Sequence, residues 1–200
     1  ADVYKVADDA DLEHVALTEP LACCVHSIEN GQIELGNDVV VIGIGIMGAL
    51  HIQLAKLKGA RVIACELDEK RLEVAKKMGA DVLVNSEGRG ADAVFCTVPV
   101  AALADQAVQM TGKLGRTVFY TSFHPDKPIE ISPNKVHSSE QIITGTVNPQ
   151  KKDFLAASRL LSSKIVDVSD LISDRVPLAE IDRAFEEAIL PDTYRILVQP

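Results

Sequence analysis

Three glycines, Gly43, Gly45 and Gly48, and one carboxylate, Glu66, are the residues whose type and spacing most clearly promise chemistry. Gly43-Ile44-Gly45-Ile46-Met47-Gly48 is a G-x-G-x-x-G set between an apolar run and a segment of helical periodicity. The first glycine permits a tight turn, the second lets backbone approach a pyrophosphate, and the third lets helix and strand pack closely. Ile46 and Met47 fall where a helix begins, so its N–H groups and positive dipole end would meet the phosphates. Glu66 ends the next apolar run, roughly 20 residues beyond the glycines, where a carboxylate accepts hydrogen bonds from both ribose hydroxyls of adenosine. A 2′-phosphate is repelled there, so the pattern predicts NAD rather than NADP. Arg71, one helical turn on, either covers the adenosine or makes a surface ion pair.

These residues need a frame, and the chain supplies one by alternating two signals. Residues 39–42 are an apolar run with no polar alternation, as in a parallel strand buried on both faces. Ile46, Leu50, Leu54 and Leu57 then fall on one helical stripe, closed by Lys56, Lys58 and Gly59. Residues 62–65 read as a second strand, and Asp68 caps a helix that carries Leu72, Ala75 and Met78 and ends at Lys76, Lys77 and Gly79. Further strands are predicted at 82–84, 93–96, 117–121 and 141–146, with an Ala-rich helix over 101–110. This rhythm predicts an α/β fold: a doubly wound, parallel, six-stranded sheet in the order 3-2-1-4-5-6. The ends fit less well. Residues 1–36 read as a helical segment interrupted at Pro20, and 176–200 as a strand near Val176, an amphipathic helix bearing Ile181, Phe185 and Ile189, and a last strand over 194–198. Both look like pieces of a neighbouring domain.

Composition narrows the function classes. Apolar residues make up 47% and charged residues 24%, an ordinary globular balance. The formal net charge of -9 argues against a nucleic-acid partner, since such proteins present a basic face. No apolar run approaches the ~18 residues of a membrane span. Cys23, Cys24, Cys65 and Cys96 form no C-x-x-C pair and read as reduced thiols of a cytoplasmic protein. A chain that starts at Ala1 rather than Met reads as cut or processed.

Several phrases together resemble the zinc-containing medium-chain dehydrogenases, within them the sorbitol and threonine dehydrogenase branch. Ala16-Leu17-Thr18-Glu19-Pro20-Leu21-Ala22-Cys23 is similar to the family's approach to its coenzyme domain, and residues 38–48 to its first strand and phosphate loop. Lys70-Arg71-Leu72 with Ala75-Lys76-Lys77-Met78-Gly79-Ala80-Asp81 resembles its second helix. Val176-Pro177-Leu178 with Ala184-Phe185-Glu186 resembles its closing element. The resemblance spans essentially the whole chain. It implies a Rossmann-type NAD-binding domain over 31–165, a linker or helical lead-in over 1–30, and a return segment over 166–200, the two ends belonging to a GroES-like catalytic domain.

It also implies nicotinamide contacts at Met47, at Thr121-Ser122-Phe123 and at Thr146-Val147-Asn148. Glu19 matches a carboxylate beside the catalytic zinc, ligating it or holding its water; by itself it reads as a helix-capping or surface residue. The family's other zinc ligands are absent, and His14, His26, His51, His124 and His137 show no metal-ligand spacing. A glycine usual after the fourth strand is replaced by Thr97-Val98-Pro99. The implied activity is oxidation of a secondary alcohol or polyol, sorbitol- or iditol-like, by hydride transfer to NAD, with no turnover by the chain alone. Two alternatives stand beside it: a zinc-free quinone or enone reductase of the same superfamily, against which Glu19 counts, and a non-catalytic NAD-sensing module. Finally, Ile129-Glu130-Ile131-Ser132 alternates apolar and polar residues and reads as an edge strand. In the resembling family this stretch and its two-fold mate join two coenzyme domains, which implies a homodimer or homotetramer.

Overall fold

The computed structural model describes residues 3–83 and 90–200. Two helices lead in: α1 (Leu12–Val15), begun by Asp11, whose carboxylate accepts the Glu13 N–H, and α2 (Thr18–Gly31). The expected interruption at Pro20 is absent. Pro20 sits in the first turn of α2, where no intrahelical bond needs its missing N–H, and the helix continues to Gly31.

The sheet follows in two halves. The first is β1 (Asp38–Ile42), α3 (Ile46–Leu57), β2 (Arg61–Cys65), α4 (Glu69–Lys77) and β3 (Val82–Leu83). Val84, included in the third strand by sequence, lies outside the described residues. The second half is β4 (Ala91–Cys96), α5 (Ala101–Met110), β5 (Thr111–Phe119), α6 (Pro133–Ser139), β6 (Ile142–Gly145) and α7 (Lys151–Ser162). All six strands pair in parallel in the order β3-β2-β1-β4-β5-β6, the doubly wound order the alternation predicts.

The reason β1 carries no polar residue between Val39 and Ile42 is visible in its alternation. Val39 and Val41 enter one core with Leu21, Leu50, Phe95 and Leu161, whereas Val40 and Ile42 enter another with Val94, Cys96 and Ala107. Both faces of the strand are covered, so both sets of side chains must be apolar. The helix ends follow the sequence closely. Asp68 accepts the Arg71 N–H at 3.0 Å, and Gly59 and Gly79 take positive φ of 81° and 101° just beyond α3 and α4.

Two boundaries differ from expectation. β5 starts at Thr111 rather than 117, because its first residues pair irregularly with β4 around a bulge that includes Leu114 at φ 61°, and it stops at Phe119. Residues 129–132 join no ladder: Ser132 instead caps α6, its hydroxyl accepting the Lys135 N–H, and Pro133 opens that helix. The alternation there is real, but it pairs with no strand among the described residues.

The C-terminal residues form β7 (Ile172–Pro177), α8 (Ile181–Ala188) and β8 (Arg195–Gln199), with β7 and β8 in a separate two-stranded parallel sheet. The segment before it returns to the main core through buried Val166, Val168 and Leu171, and α2 reaches the same core through Leu17, Leu21 and Ile28. Phe185 on α8 and Ile189 just past its end remain exposed. Among the described residues no disulfide joins the cysteines. Among the described residues no helix is long and apolar enough to cross a membrane.

Candidate functional site

The doubly wound order opens a crevice beyond the carboxyl ends of β1 and β4, where the strand sequence reverses direction. Gly43 leaves β1 with φ 87°, a conformation side chains rarely adopt, and a Cβ there would lie 2.2 Å from Val98 Cγ1. Gly48 packs so closely that a Cβ would fall 1.9 Å from the Gly43 carbonyl oxygen. Between them Gly45 is the N-cap of α3, with no side chain capping the turn and nothing within 4 Å of where its Cβ would stand. The loop thus presents open space and helix-start amides, which is a cradle for an anionic group. Thr97 braces it: its hydroxyl lies 2.8 Å from the Gly43 carbonyl and 3.0 Å from that of Ile42. The residue that departs from the family's glycine therefore stabilises the turn it flanks.

On one side of the loop lies a cavity of about 290 Å³ with Ile42, Val98, Leu103 and Met110 among its apolar lining residues. Glu66 and Arg71 line it too. The Glu66 carboxylate is fixed by backbone: Oε2 accepts the Ile44 N–H at 2.9 Å, and Oε1 accepts those of Leu67 at 2.7 Å and Asp68 at 3.3 Å. Arg71 stands 3.9 Å from Glu66 Oε2 and donates to the Pro191 carbonyl at 2.7 Å. The shape suits an adenine ring between apolar walls with its ribose at the carboxylate.

On the other side a second cavity, of about 360 Å³, is lined by Cys23, Tyr120, Thr121, Ser122, Thr146, Val147 and Asn148. Five of these seven are residues nominated from sequence, brought together because β5 and β6 end side by side, with the Thr146 N–H donating to Phe119 at 3.1 Å. Phe123 does not join them. Its ring packs edge-on to Phe119 at 6.2 Å, in the apolar cluster built on Val40, Ile42, Val94 and Cys96. Ile46 and Met47 occupy the first turn of α3, with Met47 half-buried.

Sequence reasoning missed three contributors. Tyr120 lines the second cavity and sends its hydroxyl to Met47 Sδ at 3.2 Å. Cys23 lines the same cavity. Tyr194, from the C-terminal segment, donates its hydroxyl to the Ile44 carbonyl of the phosphate loop at 3.2 Å. Only Cys23 carried a signal, its spacing of one helical turn from Glu19.

Glu19 lies exposed in the first turn of α2, and the N-cap of that helix is Leu17, without a side-chain hydrogen bond. The capping alternative for Glu19 thus falls away. Its Oε1 instead accepts the Cys23 thiol at 3.3 Å, and burial together with this carboxylate pushes that thiol up to about 11. Among the described residues no three His, Cys, Asp or Glu side chains converge to hold a metal ion. The donors present fit one edge of a zinc site and do not make one by themselves.

Residues 43–163 match the family model described as zinc-binding dehydrogenase. A sorbitol dehydrogenase of Halalkalibacterium halodurans is 29% identical over 98% of this chain and 64% of its own length. An L-threonine 3-dehydrogenase of Bacillus subtilis is 30% identical, covering 92% of this chain and 57% of its own. A Sinorhizobium meliloti 1021 protein solved with NADP superposes with a TM-score of 0.92 at 24% identity, over 98% of this chain and 62% of that one; at this identity the likeness speaks for the fold. The chain thus spans about three fifths of the length of these proteins. With its glycine loop and flanking cavities inside the matched stretch, this chain belongs to the zinc-type medium-chain alcohol and polyol dehydrogenase family and carries that family's nucleotide-binding fold.

Proposed function

We propose that this chain binds NAD(H), with the adenosine at Glu66 and the nicotinamide toward Tyr120, Thr121, Ser122 and residues 146–148. The observation that carries the reading is the Glu66 carboxylate, held by three backbone amides at the rim of an apolar cavity beside the glycine loop. With three amides already bound, the carboxylate keeps room on Oε2 to accept from a ribose hydroxyl and would repel a phosphate at the 2′ position. Fluorescence titration tests this: NADH binds more tightly than NADPH, and equal affinities would sink the assignment. A second reading has one feature in its favour, the Arg71 guanidinium 3.9 Å from Glu66, which could meet a 2′-phosphate. The same titration decides between them.

In the whole protein the reaction we propose is oxidation of a secondary alcohol or polyol, sorbitol- or iditol-like, with hydride passing to the nicotinamide. Zinc, held chiefly by residues beyond this chain with Glu19 beside it, would supply Lewis acidity at the substrate hydroxyl. The work of the residues described here is to bind and orient the cofactor. The chain alone therefore binds nucleotide without turnover and retains no zinc through mild chelation. A cytoplasmic setting accords with four cysteines that no disulfide joins.

Assembly into a homodimer or homotetramer belongs to the same proposal. Residues 129–132 join no ladder among the described residues, and Pro128 to Ser132 together with α5 line a groove of about 650 Å³. An unpaired edge of alternating pattern can be completed by its own two-fold mate. Light scattering at tens of micromolar should show a dimer that Ile131→Lys dissociates; a monomer unaffected by that change overturns it.

A further inference from the structure

Met47, in the first turn of α3, is held from three directions by buried or half-buried groups. The Tyr120 hydroxyl donates to its sulfur at 3.2 Å, and the Cys24 thiol lies 3.8 Å from the same atom. The His51 Nδ1 lies 2.7 Å from the Met47 carbonyl, while His51 Nε2 pairs with Ser27 Oγ at 2.8 Å. His51 and Ser27 are fully buried, and the imidazole is packed against both Phe95 and Tyr120. With Nδ1 donating to a carbonyl, Nε2 must accept from the serine hydroxyl, which fixes the neutral tautomer. The Met47 backbone is thereby anchored from inside the fold, and its flexible side chain is anchored by Tyr120.

A free methionine has three rotatable bonds and a weakly accepting thioether, so it fills space without defining a surface. Here a tyrosine that lines the nicotinamide-side cavity spends its only hydroxyl hydrogen on that thioether. The phenol is not arranged as an acid or base: burial drives its ionisation far up, and its hydroxyl points at Met47. We infer that the Tyr120–Met47 contact is a positioning device: anchored on the Met47 sulfur, the Tyr120 hydroxyl fixes the ring that walls the cavity in which the nicotinamide half of the cofactor rests. The inference rests on the nicotinamide-nucleotide reading above, because it assigns the two cavities to the two halves of one dinucleotide.

The test separates those halves. ADP-ribose carries the adenosine and pyrophosphate without the nicotinamide, so titrating it alongside NADH isolates the nicotinamide contribution. Tyr120→Phe keeps the ring and removes the hydroxyl; it should leave ADP-ribose affinity within about twofold and weaken NADH about fivefold, with a shifted NADH emission. Met47→Leu removes the acceptor sulfur and should weaken NADH similarly, while the double variant should be no weaker than either single one. NADH affinity and emission unchanged in Tyr120→Phe, additive losses in the double variant, or equal losses of NADH and ADP-ribose would each overturn the assignment. A parent chain that binds neither ligand would overturn the cofactor reading itself and this inference with it. Thermal unfolding of each variant identifies a fold defect, and Met47→Leu tests the contact without touching the tyrosine.

Discussion

The two ends of the cleft are built on different plans. The end we assign to adenosine joins the stretch from β1 through the start of α4 to Val98, Leu103, Gln106 and Met110, and its decisive carboxylate is held by backbone amides of Ile44, Leu67 and Asp68. The end we assign to nicotinamide is assembled from α2, the start of α3 and the ends of β5 and β6, and is held by side chains reaching across the fold: Tyr120 to Met47, His51 to Ser27, Cys24 to Met47. Backbone amides are available at every residue, so the first plan needs only glycines and one carboxylate in the right order. The second plan depends on particular side chains meeting across long separations, and it can change between relatives without disturbing the loop.

The comparison breaks most visibly at Gly48. Since its Cβ would stand 1.9 Å from the Gly43 carbonyl, Gly48→Ala must displace the loop or the helix. A loss of about 3 kcal/mol or more in urea unfolding is expected, with both NADH and ADP-ribose binding lost. Near-normal stability and binding would mean the loop relaxes freely, and the rigid cradle at this end would be an illusion.

Acid should expose the nicotinamide end first. Burial holds the His51 imidazole down to about 4, against an ordinary 6.5. The unfolded chain therefore takes up this proton as pH falls through 6.5, while the folded chain resists it until about 4. Stability from this residue is complete above pH 6.5 and is lost progressively as pH falls toward 4, by about 3 kcal/mol over that window. Unfolding measured from pH 7 to pH 4 should show the slope, and His51→Gln should flatten it. An identical slope in the variant would place the acid sensitivity elsewhere.

At the adenosine end, Glu66→Ala removes the acceptor of a ribose hydroxyl. A loss of about 1.5–3 kcal/mol in NADH binding is expected, with a narrowed preference over NADPH. If NADH affinity is untouched while the variant remains folded, the adenosine does not sit where the backbone-held carboxylate points.

This asymmetry also decides what could be read from the sequence. The strand order, the glycine loop, the Asp68 cap and Glu66 were legible because each depends on residues close together in the chain or on one periodicity. Tyr120 and Tyr194 were not, since nothing adjacent to either tells which loop its hydroxyl will meet across 73 or 150 positions. Pro20 misled because a proline's effect depends on its register: in the first turn it is harmless, and only the start at Thr18 reveals that it is there. Residues 129–132 misled differently. Alternation reports which faces a strand could present, and pairing requires a partner that the described residues do not provide.

The smallest expected effect tests the boundary between the two plans. Thr121, Ser122 and Phe123 follow one another and entered the sequence reading as a unit, yet only the first two line the nicotinamide-side cavity. Past Phe119 the chain has left β5, so strand alternation no longer governs where consecutive side chains go. Phe123 turns to Phe119 and the cluster on the opposite face of the sheet, the face that also carries Val98, Leu103 and Met110. Its role there is packing. Phe123→Leu preserves apolar character at nearly the same volume and should cost less than about 1.5 kcal/mol of stability. NADH affinity should stay within about twofold of the parent, whereas removing the hydroxyl of Tyr120 weakens it more. A Phe123→Leu variant that unfolds normally but binds NADH many-fold more weakly would show that the nicotinamide end extends to the other face of the sheet, and that the line drawn here between the two regions is misplaced.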